Sequence, residues 1–188
     1  MEKFADFMQV ENFSENDLEY AVGRLLAARK LTIACAESCT GGLLSGRLTA
    51  VPGSSAYVMG GVVSYTNEVK VSHLGVKQAT LDAVGAVSQE TAGEMAEGIR
   101  CRMHTDIGVG ITGIAGPGGA TADKPVGLVY ISVSGCNGTV VTRNVFHGNR
   151  QQVRWQATEK ALEMVAEYAG GLPDKSSRGC GHFLGLSK

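Results

Sequence analysis

The stretch LTIACAESCTGG, residues 31–42, decides how the fold is interpreted. Its apolar part, 31–36, predicts a buried strand, and the Thr-Gly-Gly that follows, with leucines at helical spacing behind it, predicts the start of a helix. Ser38 therefore lies at a strand-to-helix junction. There its hydroxyl can cap the helix, or it can act as a nucleophile beside free backbone N–H groups that hold an oxyanion or a phosphate.

The junction differs from the G-x-S-x-G nucleophile elbow. Ala36 and Thr40 stand where that motif requires glycine, which argues against a hydrolase of that superfamily. The local pattern leaves both the capping and the nucleophilic interpretation of Ser38 open.

Outward from the junction, apolar runs alternate with segments of helical periodicity. We expect strands at 31–36, 56–65, 106–111, 127–134 and 139–146, with a bend at Gly60 and Gly61 and a hairpin at Asn137-Gly138. We expect helices from a cap at Ser14 or Asn16 to about residue 30, near 42–49, and at 67–74, 89–102 and 151–168, with Ser88 capping the fourth. This order predicts the α/β class: a three-layer α/β/α single domain with a mixed parallel and antiparallel sheet.

Composition limits the class of protein. The chain has 188 residues, 44% of them hydrophobic and only 19% charged, with 26 glycines, as is typical of a globular α/β domain. A net charge of −1 gives no sign of a nucleic-acid surface. Five cysteines without a C-x-x-C pair indicate neither a disulfide framework nor a zinc site, which favours a reducing compartment.

The N-terminus carries Glu2, Asp6 and Glu11 in place of a basic segment followed by an apolar one. No apolar run approaches the roughly 18 residues of a membrane span, so we expect a cytoplasmic protein without membrane contact. We place the domain at 1–172. Residues 173–188 are small, polar and rich in glycine, and we expect a mobile tail there.

A second glycine-rich segment, Thr112 to Gly119, follows the apolar strand at 106–111. Loops at strand ends in α/β domains commonly bind ligands, and glycines let the backbone approach a phosphate closely. The segment is neither a Walker A loop nor a G-x-G-x-x-G fingerprint, so taken alone it favours a structural turn over a binding loop.

Three blocks in order, AESCTGG (36–42), GVVSYTNEVK (61–70) and GIAGPGG (113–119), resemble the CinA C-terminal domain family. The resemblance covers residues 18–168. Characterised members of that family are nicotinamide-nucleotide amidohydrolases, which implies hydrolysis of nicotinamide mononucleotide to nicotinic acid mononucleotide and ammonia. The alternative is a non-catalytic nucleotide-binding module.

The resemblance also implies residue roles. Ser38 and Lys70 match the nucleophile and the general base, and a lysine desolvated in a cleft can have a pKa low enough for that role. No histidine is paired with Ser38 by the sequence. Ser55 and Tyr65 match two further active-site hydroxyls that can relay or orient protons.

The nucleotide is expected to contact backbone and polar groups around this pair. The candidate binding residues are Thr40, Gly41, Gly42, Asn67, Thr112, Gly113, Gly116, Gly118, Gly119 and Arg150. Arg150 can pair with a phosphate or form a salt bridge to another helix, and Asn67 can instead position Lys70 or cap its helix. The resemblance implies no metal and no cofactor, and small domains of this kind often form dimers or larger homo-oligomers.

Overall fold

The structure, a computed structural model, describes residues 17–172. Within this range the helices are α1 (Leu18–Ala28), α2 (Leu43–Ala50), α3 (Asn67–Leu74), α4 (Gln78–Val84), α5 (Gln89–Arg102) and α6 (Arg150–Gly171). The strands are β1 (Ile33–Glu37), β2 (Val58–Val63), β3 (Ile107–Gly113), β4 (Leu128–Gly135) and β5 (Gly138–Val145), and a short 3-10 helix, Ser54–Ala56, precedes β2.

The strands form one mixed sheet in the order β2-β1-β3-β4-β5. β1 is parallel to both β2 and β3, whereas β3, β4 and β5 are antiparallel in turn. Glu37 pairs with Val63 on one side and Ile111 on the other, so the carboxyl ends of three parallel strands meet at one edge. The predicted mixed α/β fold is confirmed, and the edge formed by these ends is where ligands commonly bind in such sheets.

Successive side chains of β1 point to opposite faces of the sheet, and the core has one cluster of side chains on each face. Ile33 and Cys35 lie in a cluster built with α1, α2 and α6, whereas Ala34 and Ala36 lie in a cluster with α3, α4 and α5. All five residues of β1 are buried. The sheet is therefore covered by helices on both faces, as the apolar run at 31–36 predicts.

Two glycines of β3 bring α5 close to the sheet. A Cβ at Gly108 or Gly110 would collide with the α5 backbone, at the carbonyl oxygens of Ala96 and Ala92 respectively. Next to Gly110, Ser132 of β4 donates its hydroxyl to the same Ala92 carbonyl at 2.5 Å. Backbone thus packs directly against backbone at this contact.

The element bounds largely follow the sequence patterns. Helices α3 and α5 have the predicted bounds, and Ser88 caps α5 by accepting the Thr91 N–H. The predicted irregularity in β2 is present, because the pairing steps from Ile33 with Val58 to Ala34 with Gly60.

Helix α4 was not predicted, since among its seven residues only Leu81 is buried and no apolar stripe marks it. The candidate caps Ser14 and Asn16 and the expected tail at 173–188 lie outside the described residues, and α1 begins directly after Asp17.

Candidate active site

Ser38 follows the last residue of β1 at the carboxyl edge of the sheet. Its N–H donates to the Ile111 carbonyl at 2.9 Å, which continues the β1–β3 ladder by one residue. Its side-chain oxygen lies 3.1 Å from Nζ of Lys70, a residue 32 positions away in the chain. The fold therefore brings the predicted serine and lysine into hydrogen-bond contact.

Lys70 is buried, with 1% of its surface exposed. It extends from α3, and its Nζ donates to the Ser64 carbonyl at 2.6 Å. Among residues 17–172 it forms no ion pair. Burial lowers the pKa of Lys70 below its ordinary value of 10.5, because the charged form loses hydration without gaining a carboxylate.

The start of α2 is capped by Glu37 and not by Ser38, so the capping interpretation of Ser38 is wrong. Oε2 of Glu37 accepts the N–H groups of Gly42 at 3.0 Å and Leu44 at 3.1 Å. Its Oε1 accepts the N–H of Ser45 at 2.8 Å and the Ser45 hydroxyl at 2.7 Å. The expected free N–H groups of the helix start are thus already occupied.

Other backbone donors remain beside the serine. The Gly41 N–H donates to the Ser38 carbonyl at 3.1 Å, which closes the turn. The N–H groups of Cys39 and Thr40 donate to no other residue within the described part of the chain. These two groups are the ones left to stabilise negative charge near Ser38.

A cavity of about 270 Å³ opens beside the serine and lysine. Its lining includes most of the residues that the sequence assigned to catalysis or binding: Ser38, Tyr65, Asn67, Lys70, Thr112, Gly113, Gly116, Gly118, Gly119 and Arg150. Cys39, Ala86 and Val87 contribute as well. The segments that follow β1, β2 and β3 meet at this cavity because the three strands end at the same edge.

Ser55 is not brought to this cavity. It lies in the 3-10 helix that precedes β2, whereas the cavity lies beyond the carboxyl ends of β1 and β2. Since these strands are parallel, the start of β2 lies at the opposite edge of the sheet. Ser55 is also exposed, so within this chain it does not contact Ser38.

Thr40, Gly41 and Gly42 also lie outside the lining of the cavity. Thr40 is fully buried, and its carbonyl accepts Nη2 of Arg154 at 2.7 Å. Gly41 and Gly42 have φ angles of +61° and +93°, a conformation that suits glycine. The two glycines shape the turn through their backbone, and any contact that they make with a ligand comes from backbone as well.

Arg150, the first residue of α6, spans the mouth of the cavity. Nη1 donates to the Gly116 carbonyl at 2.9 Å, and Nη2 donates to the Tyr65 hydroxyl at 3.2 Å. The salt bridge considered for Arg150 is not present among the described residues. Arg150 is exposed, so its guanidinium remains accessible to an anion.

Thr112 and Cys39 have roles that the sequence did not reveal. Thr112 is buried and donates its hydroxyl to the Ala86 carbonyl at 2.7 Å, which holds one cavity wall. Burial raises the pKa of Cys39 to about 12, so its thiol is protonated at neutral pH and does not compete with Ser38 as nucleophile.

Glu37 and Ser64 are the main site residues that sequence reasoning missed. The Glu37 carboxylate holds the α2 start, and the Ser64 carbonyl holds Lys70. A usable signal existed for Glu37, because α2 has glycine at its N-cap position and therefore needs an acceptor from elsewhere.

Two further properties concern residues 17–172. The side chains there form no group of three or more His, Cys, Asp or Glu placed to hold a metal ion. None of the helices in this range combines the length and the apolar character needed to cross a bilayer.

Fold and site together define a mixed α/β domain with a serine–lysine pair in a glycine-lined cavity. The chain belongs to the CinA C-terminal domain family, whose model matches residues 15–169. A protein of Halothermothrix orenii whose name links it to competence damage is 52% identical over 155 residues, 82% of this chain and 38% of that relative. The CinA-like protein of Thermosynechococcus vestitus is 52% identical over 154 residues, 80% of this chain and 37% of that relative. The chain thus spans well under half the length of these curated relatives.

Solved structures agree with this assignment. The crystal structure of the competence/damage inducible protein CihA from Agrobacterium tumefaciens is 40% identical, with a TM-score of 0.77 over 83% of this chain and 98% of that one. A CinA superfamily protein from Klebsiella pneumoniae is 34% identical, with a TM-score of 0.80 over 82% of this chain and 97% of that one.

Proposed function

We propose that this chain is an amidohydrolase that converts nicotinamide mononucleotide to nicotinic acid mononucleotide and ammonia. The observation that carries the proposal is the 3.1 Å separation of Ser38 Oγ and Lys70 Nζ, with the lysine buried and unpaired by any described carboxylate. An amine in that environment can accept the proton that a serine must lose to attack an amide.

In the proposed reaction, Lys70 takes the Ser38 proton as Oγ attacks the carboxamide carbon. The lysine then delivers that proton to the leaving nitrogen, the C–N bond breaks, and ammonia departs from an acyl-enzyme. Water, activated by the same amine, attacks the acyl carbon and releases the pyridine carboxylate. The N–H groups of Cys39 and Thr40 are the proposed donors to the tetrahedral oxyanion.

The far side of the cavity supports a nucleotide as the substrate class. Arg150 offers an exposed guanidinium beside the Gly116 to Gly119 loop, a combination suited to a phosphate monoester. The cavity of about 270 Å³ has room for a small ligand. Tyr65, whose hydroxyl accepts Nη2 of Arg150, is the proposed proton relay or orienting group.

Ammonia release from nicotinamide mononucleotide tests the proposal, with Ser38→Ala and Lys70→Ala as variants whose folding is checked by circular dichroism. We expect turnover by the wild-type chain and a loss of at least about 10²-fold in either variant. Binding of the nucleotide without turnover would favour the non-catalytic binding module, and neither binding nor turnover would reject this substrate.

A further inference from the structure

Glu37 is a buried carboxylate that the proposed reaction does not use. It is 1% exposed and immediately precedes Ser38. Its two oxygens accept four hydrogen bonds of 2.7 to 3.1 Å from Gly42, Leu44 and Ser45. No described cation pairs with it, so the four donors supply its compensation.

These contacts connect the end of β1 to the start of α2. The N-cap residue of α2 is Gly42, which has no side chain to accept the orphan N–H groups. Hydrogen bonds to a carboxylate are stronger than those to neutral acceptors. The turn at 38–42 is therefore fixed at both ends, because Glu37 joins the end of β1 to the start of α2.

Glu37 also contacts the side of the site that carries the lysine. Its backbone carbonyl accepts the Ser64 N–H at 2.8 Å, and the Ser64 carbonyl accepts Lys70 Nζ. One residue is thus bonded both to the turn that carries Ser38 and to the segment that orients Lys70.

We propose that Glu37 is a positioning residue, whose carboxylate fixes the 38–42 turn so that the Ser38 hydroxyl stays within reach of Lys70. The inference rests on the proposed function only in that Ser38 is the nucleophile, and it does not depend on the substrate. Displacement of a reacting group by about 1 Å costs on the order of 10²-fold in rate.

Covalent labelling of Ser38 by phenylmethylsulfonyl fluoride, followed by mass spectrometry of the intact chain, measures this positioning without the substrate. The Oγ–S bond forms, the S–F bond breaks, fluoride leaves and the proton passes to Lys70. The variant is Glu37→Gln, which keeps the size of the side chain but turns half of the acceptor into a donor.

Asp106→Asn is the matched control. Oδ2 of Asp106 accepts the Thr32 N–H at 2.8 Å and the Thr32 hydroxyl at 2.9 Å, next to the opposite end of β1. Both variants replace a carboxylate by an amide, and each of the two carboxylates accepts hydrogen bonds from backbone N–H and from a hydroxyl. Only one of these carboxylates adjoins Ser38.

We expect labelling of folded Glu37→Gln to be slower by about 10²-fold, and Asp106→Asn to be labelled at the wild-type rate. With nicotinamide mononucleotide as substrate, we expect Glu37→Gln to lower kcat and leave KM unchanged. Labelling of folded Glu37→Gln at the wild-type rate would overturn the inference.

Ser45→Ala decides the matter if Glu37→Gln does not fold, since it removes one of the four donors. A fall in labelling rate on the order of threefold supports the inference, and the wild-type rate overturns it. If the wild-type chain is labelled but does not turn over the nucleotide, the proposed substrate fails while the Glu37 inference stands on the labelling rates. If the wild-type chain is not labelled, both fail.

Discussion

Lys70 and Arg47 are both buried basic residues, with 1% and 4% of their surfaces exposed, but their surroundings are opposite. Arg47 bonds to Glu19 at 2.7 Å and also pairs with Glu159. Among residues 17–172, the amine of Lys70 has one carbonyl and one hydroxyl as its hydrogen-bond partners. A paired buried charge keeps its proton and holds elements together, whereas an amine without a carboxylate is free to give its proton up.

Their positions agree with this difference. Arg47 lies on α2 and joins it to Glu19 of α1 and Glu159 of α6 within one helical layer. Lys70 lies on α3, across the sheet, with its amine at the cavity. Burial of a basic side chain therefore does not by itself mark a reactive group, because its partners decide whether it can give up a proton.

Replacement of Lys70 by methionine should have the largest effect, and that effect should be on activity. We expect amide hydrolysis to fall by about 10²–10⁴-fold, because the general base is lost while an apolar side chain of similar length fills its place. Ammonia release and chemical denaturation of the same preparation check this. A folded Lys70→Met chain with wild-type turnover would remove the distinction between the two residues.

Replacement of Arg47 by methionine should have the converse effect. We expect the free energy of unfolding to fall by about 3–5 kcal/mol, because the buried Glu19 is left without its partner. Urea denaturation measures the loss, and a Glu19→Gln/Arg47→Met double variant should recover part of it. A fall in kcat of the folded fraction would show that Arg47 contributes to the chemistry after all.

The burial of Lys70 also predicts how stability and activity depend on pH. The folded pKa of Lys70 lies below 10.5, so between the two values the unfolded chain binds more protons and stability rises with pH. The difference in unfolding free energy between wild type and Lys70→Met should therefore shift in favour of wild type as the pH rises through that window. kcat/KM should rise with pH and level off above the folded pKa, and a flat profile would exclude Lys70 as the base.

The smallest expected effect concerns Trp155, whose indole stacks on the guanidinium of Arg47. The Arg47 guanidinium lies 4.1 Å from the centre of the indole, and Trp155 is 44% exposed. We expect Trp155→Leu to lower the free energy of unfolding by about 0.5–1 kcal/mol, which thermal and urea denaturation can resolve. An unchanged stability would mean that the two carboxylates and the Thr158 hydroxyl hold Arg47 without help from the indole.

Much of the fold could be predicted because its signals are local. The apolar run before Ser38 and the cap at Ser88 each determine a short segment with little help from the rest of the chain. Helix α4 gave no such signal, since one buried leucine in seven residues makes no pattern.

The site could be predicted only in part. Ser38 and Lys70 are 32 positions apart, and nothing in their spacing puts one hydroxyl beside one amine; the family resemblance supplied the pair. The resemblance also supplied Ser55, which lies away from the cavity. Ser55 precedes β2, and because β2 is parallel to β1, it lies at the opposite edge of the sheet from Ser38. Glu37 was missed because its carboxylate bends back around a turn to a helix that starts six residues later.

The direct backbone contact at Gly108 and Gly110 has a mechanical consequence for the cavity. At these two positions β3 has no side chain to separate its backbone from that of α5, so the two elements should resist sliding and move as one body. The segment before α5 is tied to the same strand through Thr112 and the Ala86 carbonyl. One wall of the cavity is therefore stiffened by the core of the domain, so adaptation to a ligand falls to the Arg150 and Tyr65 side.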